Sequence, residues 1–334
     1  MKKKIAAVKI ESETIKSMKN FLEKEGFIEM FPPKIVRASG ACENIDTLFE
    51  VGVDGDLYWF NPKDPCRAYL SQTAQLYLEA FTPYLGKVYS VGPSFRAEEG
   101  SDNRHLTEFT MLEIEFAGGF EKLLWYIENT IYQVVNSFLN LTIEEQSLLG
   151  IQEADLRRLE KIKLPFPRTT YQEAINLLGI EFGDDISSRQ EQELIENFGG
   201  QPLFITHFPN PLFDHGKEIE VEKFFNMIPD PSNPKWVLSA DLILPTGGEA
   251  VGAAQRVHEP KELKQRLRDS KMFARLKRKG GSMDDFEWYF KRAKEKTVPH
   301  SGCGFGIGRI VKFLRQEADI REAITFPLNQ VNII

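Results

Sequence analysis

Residues 88–117 read VYSVGPSFRAEEGSDNRHLTEFTMLEIEFA, and this stretch decides the fold because two segments of alternating polarity flank one charged loop, residues 99–106. Apolar side chains at every second position are typical of half-buried strands. They are Tyr89, Val91, Phe95 and Ala97 in the first segment and Leu112, Ile114 and Phe116 in the second. The sequence therefore predicts an antiparallel hairpin with one apolar and one polar face, and from the pattern alone a solvated face explains the charges.

The segments around this hairpin alternate between helical and extended patterns. A first helix is predicted over residues 11–24 after a short tail, 1–10, and Pro32-Pro33 then interrupts an extended segment at a sheet edge or interface. Further predictions are a helix at 123–139, a mainly helical insertion at about 142–200, strands at 202–208 and 236–244, and a helical stretch at 260–279. This order favours an α+β domain over residues 11–330, with an antiparallel sheet flanked by helices.

Composition restricts the class of protein. The 334 residues are 42% hydrophobic, enough to bury a large core, and the net charge of −7 provides no general attraction to polyanions such as DNA. The cysteines Cys42, Cys66 and Cys303 lack the spacing of a zinc site or disulfide framework, which fits a reducing compartment. Neither a secretory signal nor a membrane-spanning apolar run is visible, so we expect a cytoplasmic protein without a membrane partner.

A glycine-rich segment, His300–Arg309, precedes the last predicted helix. Glycines at 302, 304, 306 and 308 remove side chains from one face of a strand, which lets a flat ligand such as a nucleotide base approach the backbone. Tight packing of strand and helix explains the same pattern. A dinucleotide-binding fingerprint does not fit, because that motif belongs early in a βαβ unit.

Together these segments resemble class II aminoacyl-tRNA synthetases, and their motif sequences are most similar to those of asparaginyl-tRNA synthetases. Residues 95–115 resemble the family's second motif, residues 27–35 the first motif with its interface proline, and residues 300–309 the third. Residues 70–79 and 241–249 also match, so the resemblance covers roughly residues 11 to 327. It implies a homodimer that uses ATP and Mg²⁺. About ten residues precede the first predicted helix, too few for the family's anticodon-reading barrel, so charging of tRNA is uncertain.

The resemblance implies a set of ATP-binding residues. Arg96 binds the α-phosphate and the substrate carboxylate, Glu98 accepts from the adenine amino group, and Phe109 and Arg309 enclose the ring, with Arg96 and Arg309 as the catalytic arginines. Two loop residues, Arg104 and His105, are placed to meet the β- and γ-phosphates. Two acidic residues, Asp241 and Glu249, occupy the family's magnesium positions.

It also implies the amino-acid site. Glu43 and Gln75 match positions that hold the α-ammonium group, and Arg256 matches an arginine that faces the substrate side chain. Leu78 stands where aspartate-specific members have a lysine, and Glu113 stands where they have aspartate. A carboxylate acceptor at 113 suits an amide donor, so asparagine fits better than aspartate.

Three positions depart from the family pattern, and several acceptors stay open. Ala254 replaces a serine near the metal, Gly308 replaces a glutamate, and Leu328 replaces an arginine after Pro327. The leading hypothesis is an ATP-dependent, AMP-forming ligase that makes an asparaginyl or aspartyl adenylate for an acceptor other than a normally recognised tRNA. Alternatives are an ammonia-dependent asparagine synthetase acting on aspartate, modification of an Asp or Asn side chain in a peptide, and a non-catalytic regulatory paralogue.

Overall fold

The computed structural model describes residues 2–41, 43–60, 66–99, 103–221 and 223–333. Its strands are β1 (Ile28–Glu29), β2 (Ile35–Val36), β3 (Glu50–Val51), β4 (Ala68–Leu70), β5 (Lys87–Phe95), β6 (Glu108–Ala117), β7 (Arg168–Thr170), β8 (Leu203–Thr206), β9 (Pro229–Asp230), β10 (Asn233–Val237), β11 (Ser239–Leu244), β12 (Gly248–Gln255) and β13 (His300–Gly306). Its helices are α1 (Lys2–Lys24), α2 (Gln75–Leu85), α3 (Phe120–Leu139), α4 (Ile143–Leu149), α5 (Glu153–Leu159), α6 (Tyr171–Leu178), α7 (Ser188–Asn197), α8 (Pro260–Asp269), α9 (Lys271–Arg278), α10 (Glu287–Glu295), α11 (Ile307–Arg315) and α12 (Ile320–Ala323).

The predicted hairpin is formed by β5 and β6, which pair antiparallel from Lys87 with Phe116 to Phe95 with Glu108. It lies within an eight-stranded sheet of order β1-β5-β6-β13-β12-β11-β8-β7. Only the edge pairs of this sheet, β1 with β5 and β7 with β8, are parallel. The α+β architecture with a mainly antiparallel sheet is therefore confirmed.

The apolar face of the hairpin packs into the main core. Tyr89, Leu112 and Ile114 are buried there with side chains from α1, α3 and α11. Helix α2 packs against β5, β6 and β13 without joining that core cluster. Other elements of the fold consequently cover the charged face of the hairpin. The pattern alone had predicted a solvated face, and that prediction is wrong.

The first helix is longer than predicted. It begins at Lys2, so residues 2–10 are helical and the expected tail is wrong. Ala6, Ala7 and Ile10 are buried, which extends the apolar stripe by two turns towards the amino terminus. Lysine and alanine are strong helix formers, so the basic start continues the helix.

Residues 142–200 are mainly helical, as predicted, through α4, α5, α6 and α7. They also contribute β7, which pairs with β8 and forms one edge of the large sheet.

The stretch 260–279 divides into α8 and α9 at Ser270, whose hydroxyl accepts from the Phe273 N–H and caps α9.

Across the described residues, no helix is both long and apolar enough to cross a bilayer. Cys66 and Cys303 are free thiols, and Cys42 lies outside the described residues.

Candidate active site

A cavity of about 600 Å³ opens on the polar face of the large sheet. The pleat of β5 and β6 directs their charged side chains into it, and the neighbouring strands β13, β12 and β11 continue the same sheet face. The start of α11 adds Gly308 and Arg309 to the lining. All twelve residues that the sequence singled out for chemistry line this cavity: Glu43, Gln75, Arg96, Glu98, Arg104, His105, Phe109, Glu113, Asp241, Glu249, Arg256 and Arg309. The fold therefore brings together residues that are separated by more than two hundred positions in the chain.

Arg96, just after β5, lies at the centre of the cavity. Its Nη2 is 2.7 Å from Glu43 Oε2, and its guanidinium is 5.3 Å from the centroid of the Phe109 ring. Burial is the largest single effect and disfavours the charged guanidinium, but Glu43, Glu98 and Glu249 together outweigh it and raise the pKa of Arg96. Arg96 and Glu43 thus present one positive and one negative group side by side, which is the complement of an amino-acid head group.

Glu113 projects from β6 towards the start of α2. It accepts hydrogen bonds from the Thr73 hydroxyl and from the Ala74 N–H, the latter at 2.8 Å. Burial raises the pKa of Glu113, and these two donors oppose that effect. The positive end of a helix also favours a carboxylate, so α2 holds Glu113 in a fixed position at the cavity wall.

Arg256 lies between two buried carboxylates. Its Nε is 3.5 Å from Glu115 Oε1 and 3.8 Å from Glu79 Oε1, and its Nη2 donates to the Gly302 carbonyl at 3.0 Å. Glu79 also accepts from Gln75, Asn226 and Tyr289, and His300 Nε2 lies 3.5 Å from it. Gln75, expected to bind a substrate ammonium, is therefore hydrogen-bonded to Glu79 in this structure.

Glu115 is the least solvated carboxylate of this group. It is 0% exposed, and among the described residues neither of its oxygens has a hydrogen-bond partner. Burial raises the pKa of Glu115 to about 8, Arg256 opposes this effect, and the charge of Glu79 adds to it.

Asp241 and Glu249 direct their carboxylates to a common point above Gly252 of β12. A Cβ atom added to Gly252 would lie 3.6 Å from Glu249 Oε1 and 4.0 Å from Asp241 Oδ1. Mg²⁺ is usually held by one or two carboxylates together with phosphate oxygens and water, so this pair fits the ion. No cluster of three or more His, Cys, Asp or Glu ligands occurs among the described residues.

Lys223 was not anticipated from the sequence, yet it approaches the same carboxylates. Its Nζ is 2.6 Å from Asp241 Oδ2 and 3.7 Å from the centroid of the Phe208 ring. Burial raises the pKa of Asp241 to about 7, Lys223 opposes the effect, and Glu249 adds to it. The two oxygens of Asp241 thus face different surroundings: Oδ2 faces the Lys223 ammonium, and Oδ1 faces the point above Gly252.

The charged loop is described in part, because residues 100–102 lie outside the described residues. Arg104 Nη2 is 3.0 Å from Glu191 Oε2, and His105 Nδ1 is 3.9 Å from Glu98 Oε2. Glu191 belongs to α7 of the helical insertion, a region in which the sequence showed no readable chemistry. Asp185 from the same insertion also lines the cavity.

The alternate glycines of β13 face the residues of β6 across the strand pair. Gly302 pairs with Glu115, Gly304 with Glu113 and Gly306 with Met111. A Cβ atom at Gly302 would lie 1.9 Å from Glu115 Oε2, and one at Gly304 would lie 2.5 Å from Met111 Cε. These two glycines therefore make room for β6 side chains, whereas a Cβ at Gly306 would meet its nearest atom only at 3.6 Å. The prediction that glycines open the strand to a flat ligand stays a prediction, and Gly306, next to Arg309, is the position of the three with room for it.

Two of the departures from the family pattern have visible consequences. A Cβ atom at Gly308 would lie 3.2 Å from Ile320 Cδ1 and 3.4 Å from Ile324 Cγ2, so isoleucines of the C-terminal segment fill the space of a longer side chain. Ala254 is fully buried on β12, two residues beyond Gly252 and on the same face. Leu328 contributes through its backbone, since its carbonyl accepts from the Thr107 N–H at 2.8 Å.

Comparisons with known proteins agree with this geometry. Residues 1–330 match the family described as tRNA synthetases class II (D, K and N). The chain is similar to the asparagine–tRNA ligase of Desulforamulus reducens, with 36% identity over 329 residues that cover 96% of this chain and 68% of that protein. The corresponding ligase of Pelotomaculum thermopropionicum is 37% identical over 329 residues.

Solved structures give the same result. The crystal structure of asparaginyl-tRNA synthetase from Pyrococcus horikoshii complexed with asparaginyl-adenylate superposes with a TM-score of 0.80 at 33% identity, covering 99% of this chain and 70% of that one. An Entamoeba histolytica aspartyl-tRNA synthetase is more distant, with a TM-score of 0.71 at 25% identity.

Proposed function

Because this chain belongs to the class II tRNA synthetases of the D, K and N group, we propose that it activates asparagine with ATP and Mg²⁺ as an asparaginyl-adenylate and passes the acyl group to an acceptor other than a normally recognised tRNA. The observation that carries the proposal is the convergence of the twelve expected residues on one cavity. The family description names D, K and N, that is, aspartate, lysine and asparagine, and the choice of asparagine is the finer part of the proposal.

The head group of the amino acid is recognised by Arg96 and Glu43. Their ion pair of 2.7 Å is replaced by two pairs when a zwitterion enters, with the α-carboxylate on Arg96 and the α-ammonium on Glu43. Exchanging one ion pair for two keeps both side-chain charges paired, and it leaves the substrate carboxylate beside the arginine that binds the α-phosphate.

The chemical step is an in-line displacement at the α-phosphorus of ATP. A carboxylate oxygen of asparagine forms the new P–O bond, the bond to the β-phosphate bridging oxygen breaks, and pyrophosphate leaves with that electron pair. Arg96 and Arg309 reduce the negative charge on the α-phosphate in a site where burial strengthens each interaction. Asp241 and Glu249 would hold Mg²⁺, which would supply charge neutralisation for the phosphates.

The side-chain amide of asparagine lies between Arg256 and Glu113. A guanidinium donates to an amide oxygen, and a carboxylate accepts from an amide NH₂. Aspartate would place a carboxylate near Glu113 and Glu79, and its repulsion from these groups disfavours it. Leu78, which is 0% exposed, provides no cation to offset that repulsion.

The acceptor part of the proposal concerns the transfer step after activation. The chain corresponds to 68% of the length of the Desulforamulus reducens ligase. The test uses this chain and compares tRNA and ammonia as acceptors. Reactions with ATP, Mg²⁺ and asparagine are quenched in acid and analysed by mass spectrometry for the adenylate. We expect the adenylate to accumulate and bulk tRNA to leave its amount unchanged, whereas rapid tRNA-dependent discharge would contradict the acceptor proposal. Free asparagine made from aspartate and ammonia would select the asparagine synthetase instead.

A homodimer is part of the same proposal. Around Pro32-Pro33, three apolar residues are exposed: Ile28 of the edge strand β1, Phe31 after it, which is 84% exposed, and Ile35 of β2. Helix α2 adds exposed Phe81 and Tyr84. An apolar surface at an unpaired sheet edge is stabilised by covering it with a second copy. Light scattering should give twice the chain mass for the wild type and a lower mass for F31D, and a monomeric wild type would contradict the dimer.

A further inference from the structure

The helical insertion contributes one carboxylate directly to the charged loop of the hairpin. Both oxygens of Glu191, on α7, contact Arg104 Nη2, at 3.2 and 3.0 Å. The side chains are 16% exposed for Arg104 and 8% exposed for Glu191. An ion pair this shielded from water is screened far less by salt than a surface pair, so it can hold its geometry.

This ion pair packs against the turn at Gly248 that leads into β12, the strand that carries Glu249. A Cβ atom added to Gly248 would be 3.0 Å from Arg104 Nη2 and 3.0 Å from Glu191 Oε2, so the pair packs directly on the glycine backbone. Gly248 has a φ of +71°, a conformation that favours glycine at this turn. The next residue is Glu249, one of the two carboxylates assigned to Mg²⁺, and the Arg104 guanidinium therefore lies beside the phosphate end of the cavity.

The backbone around Arg104 is fixed as well. The Ile320 N–H donates to the Asn103 carbonyl at 3.0 Å, and the Thr107 N–H donates to the Leu328 carbonyl at 2.8 Å. The C-terminal segment thus holds the loop on both sides of Arg104. The Glu191 contact then fixes the long side chain, whose rotamer freedom the backbone bonds leave unrestricted.

We propose that Glu191 is a positioning residue that holds Arg104 where the β- and γ-phosphates of ATP bind. The inference rests on the proposed function and extends it to the helical insertion. A guanidinium carries five N–H donors and can bridge two anions, so the ion pair with Glu191 is compatible with phosphate binding by the same arginine. Holding the side chain in place before ATP arrives removes the entropy cost of ordering it on binding.

The same contact could instead block ATP, with Glu191 competing with the phosphates for Arg104, and this alternative predicts the opposite effect on ATP affinity. If Glu191 occupied Arg104 at the expense of the phosphates, removing its charge would strengthen ATP binding. If Glu191 positions Arg104, the same change weakens ATP binding. The direction of the change in affinity therefore decides between the two.

The test measures dissociation constants for ATP and for AMP by calorimetry with the full chain. For E191Q we expect ATP binding to weaken roughly three- to tenfold and AMP binding to stay unchanged, because AMP lacks the two phosphates that Arg104 would meet. E193Q, an exposed glutamate on the same helix, is the matched control and should match the wild type for both nucleotides. A purely structural role of Glu191 would shift both nucleotides together, which would overturn the proposal.

Two further variants complete the design. In an R104A background, E191Q should cause no additional loss of ATP affinity, since the positioning effect acts through Arg104. E191D keeps the charge and should recover part of the affinity, provided that its thermal unfolding matches the wild type. Tighter ATP binding by E191Q, or full additivity with R104A, would contradict the proposal. A wild-type chain that binds neither ATP nor AMP would instead overturn the proposed function, and the inference with it.

Discussion

Glu115 places its carboxylate directly over the backbone of Gly302, its partner in the β6–β13 pair. Any Cβ at position 302 would lie 1.9 Å from Glu115 Oε2 and 2.4 Å from the Ile114 carbonyl. The carbonyl belongs to the sheet backbone and cannot move away. This strand pair therefore allows a buried carboxylate beside Arg256 only because residue 302 has no side chain.

Substituting this glycine should disrupt the site and destabilise the fold. We expect G302A to lower the free energy of unfolding by about 2–3 kcal/mol, the range for overpacking a closed core position. G304A is the matched control, since its new methyl group meets the flexible end of Met111. Urea unfolding of both variants measures the difference, and equal stability of the two would contradict this role of Gly302.

The buried Glu115 carboxyl should make stability depend on pH. Its pKa rises from an ordinary 4.5 to about 8 in the folded chain, so between these values the folded state binds a proton that the unfolded state has lost. The stabilisation from this group is complete below about 4.5 and is lost as the pH rises through about 8.

E115Q removes this titration, so its stability relative to the wild type should improve from pH 5.5 to pH 8.5 in denaturant unfolding. The control E108Q changes an exposed glutamate of the same strand and should follow the wild-type profile. A constant difference between E115Q and the wild type across this range would show that Glu115 does not titrate there.

Catalysis should require the planar guanidinium fork of Arg96, and a positive charge alone should not be sufficient. R96K keeps the charge but loses the planar fork that contacts Glu43 and lies over Phe109. We expect asparagine-dependent pyrophosphate exchange to fall by roughly a hundredfold or more, while the exposed R157K control retains wild-type activity. Full activity of R96K would exclude the proposed role, and a function preserved in R96A would support a non-catalytic paralogue.

The carboxylate pair above Gly252 should determine metal affinity. D241N removes one of the two charges, so we expect weaker binding of Mn²⁺, used as a paramagnetic substitute for Mg²⁺, in the presence of a non-hydrolysable ATP analogue. The loss should be roughly ten- to a hundredfold. Electron paramagnetic resonance measures free Mn²⁺ directly, with the exposed D214N as control. Unchanged Mn²⁺ affinity in D241N would place the metal elsewhere.

Local periodicity predicted some of the elements that build the site, but not α2 or β12. The hairpin and the glycine strand were predicted correctly because alternation depends on neighbouring residues. The pattern could not show what covers the polar face, since α2 and the helical insertion reach it from distant parts of the chain. Burial therefore overturned the expectation of a solvated face.

Glu191 and Lys223 were not predicted from the sequence for a similar reason. Arg104 and Glu191 are 87 positions apart, and a lone glutamate in a helical segment carries no local sign of its partner. Lys223 was missed for the same reason, because its contact with Asp241 depends on how a loop folds over β11. The expected tail at residues 1–10 was wrong because buried Ala6 and Ala7 continue the stripe of α1, and alanine is a weak marker of an apolar face.

The central claim, adenylation of asparagine, is tested most directly by amino-acid-dependent exchange of pyrophosphate into ATP. The purified chain is assayed with Mg²⁺ and each of the twenty amino acids in turn. We predict exchange with asparagine, clearly weaker exchange with aspartate, and none with the others. Absence of exchange with both asparagine and aspartate, by a chain shown to be folded and to bind ATP, would contradict the claim.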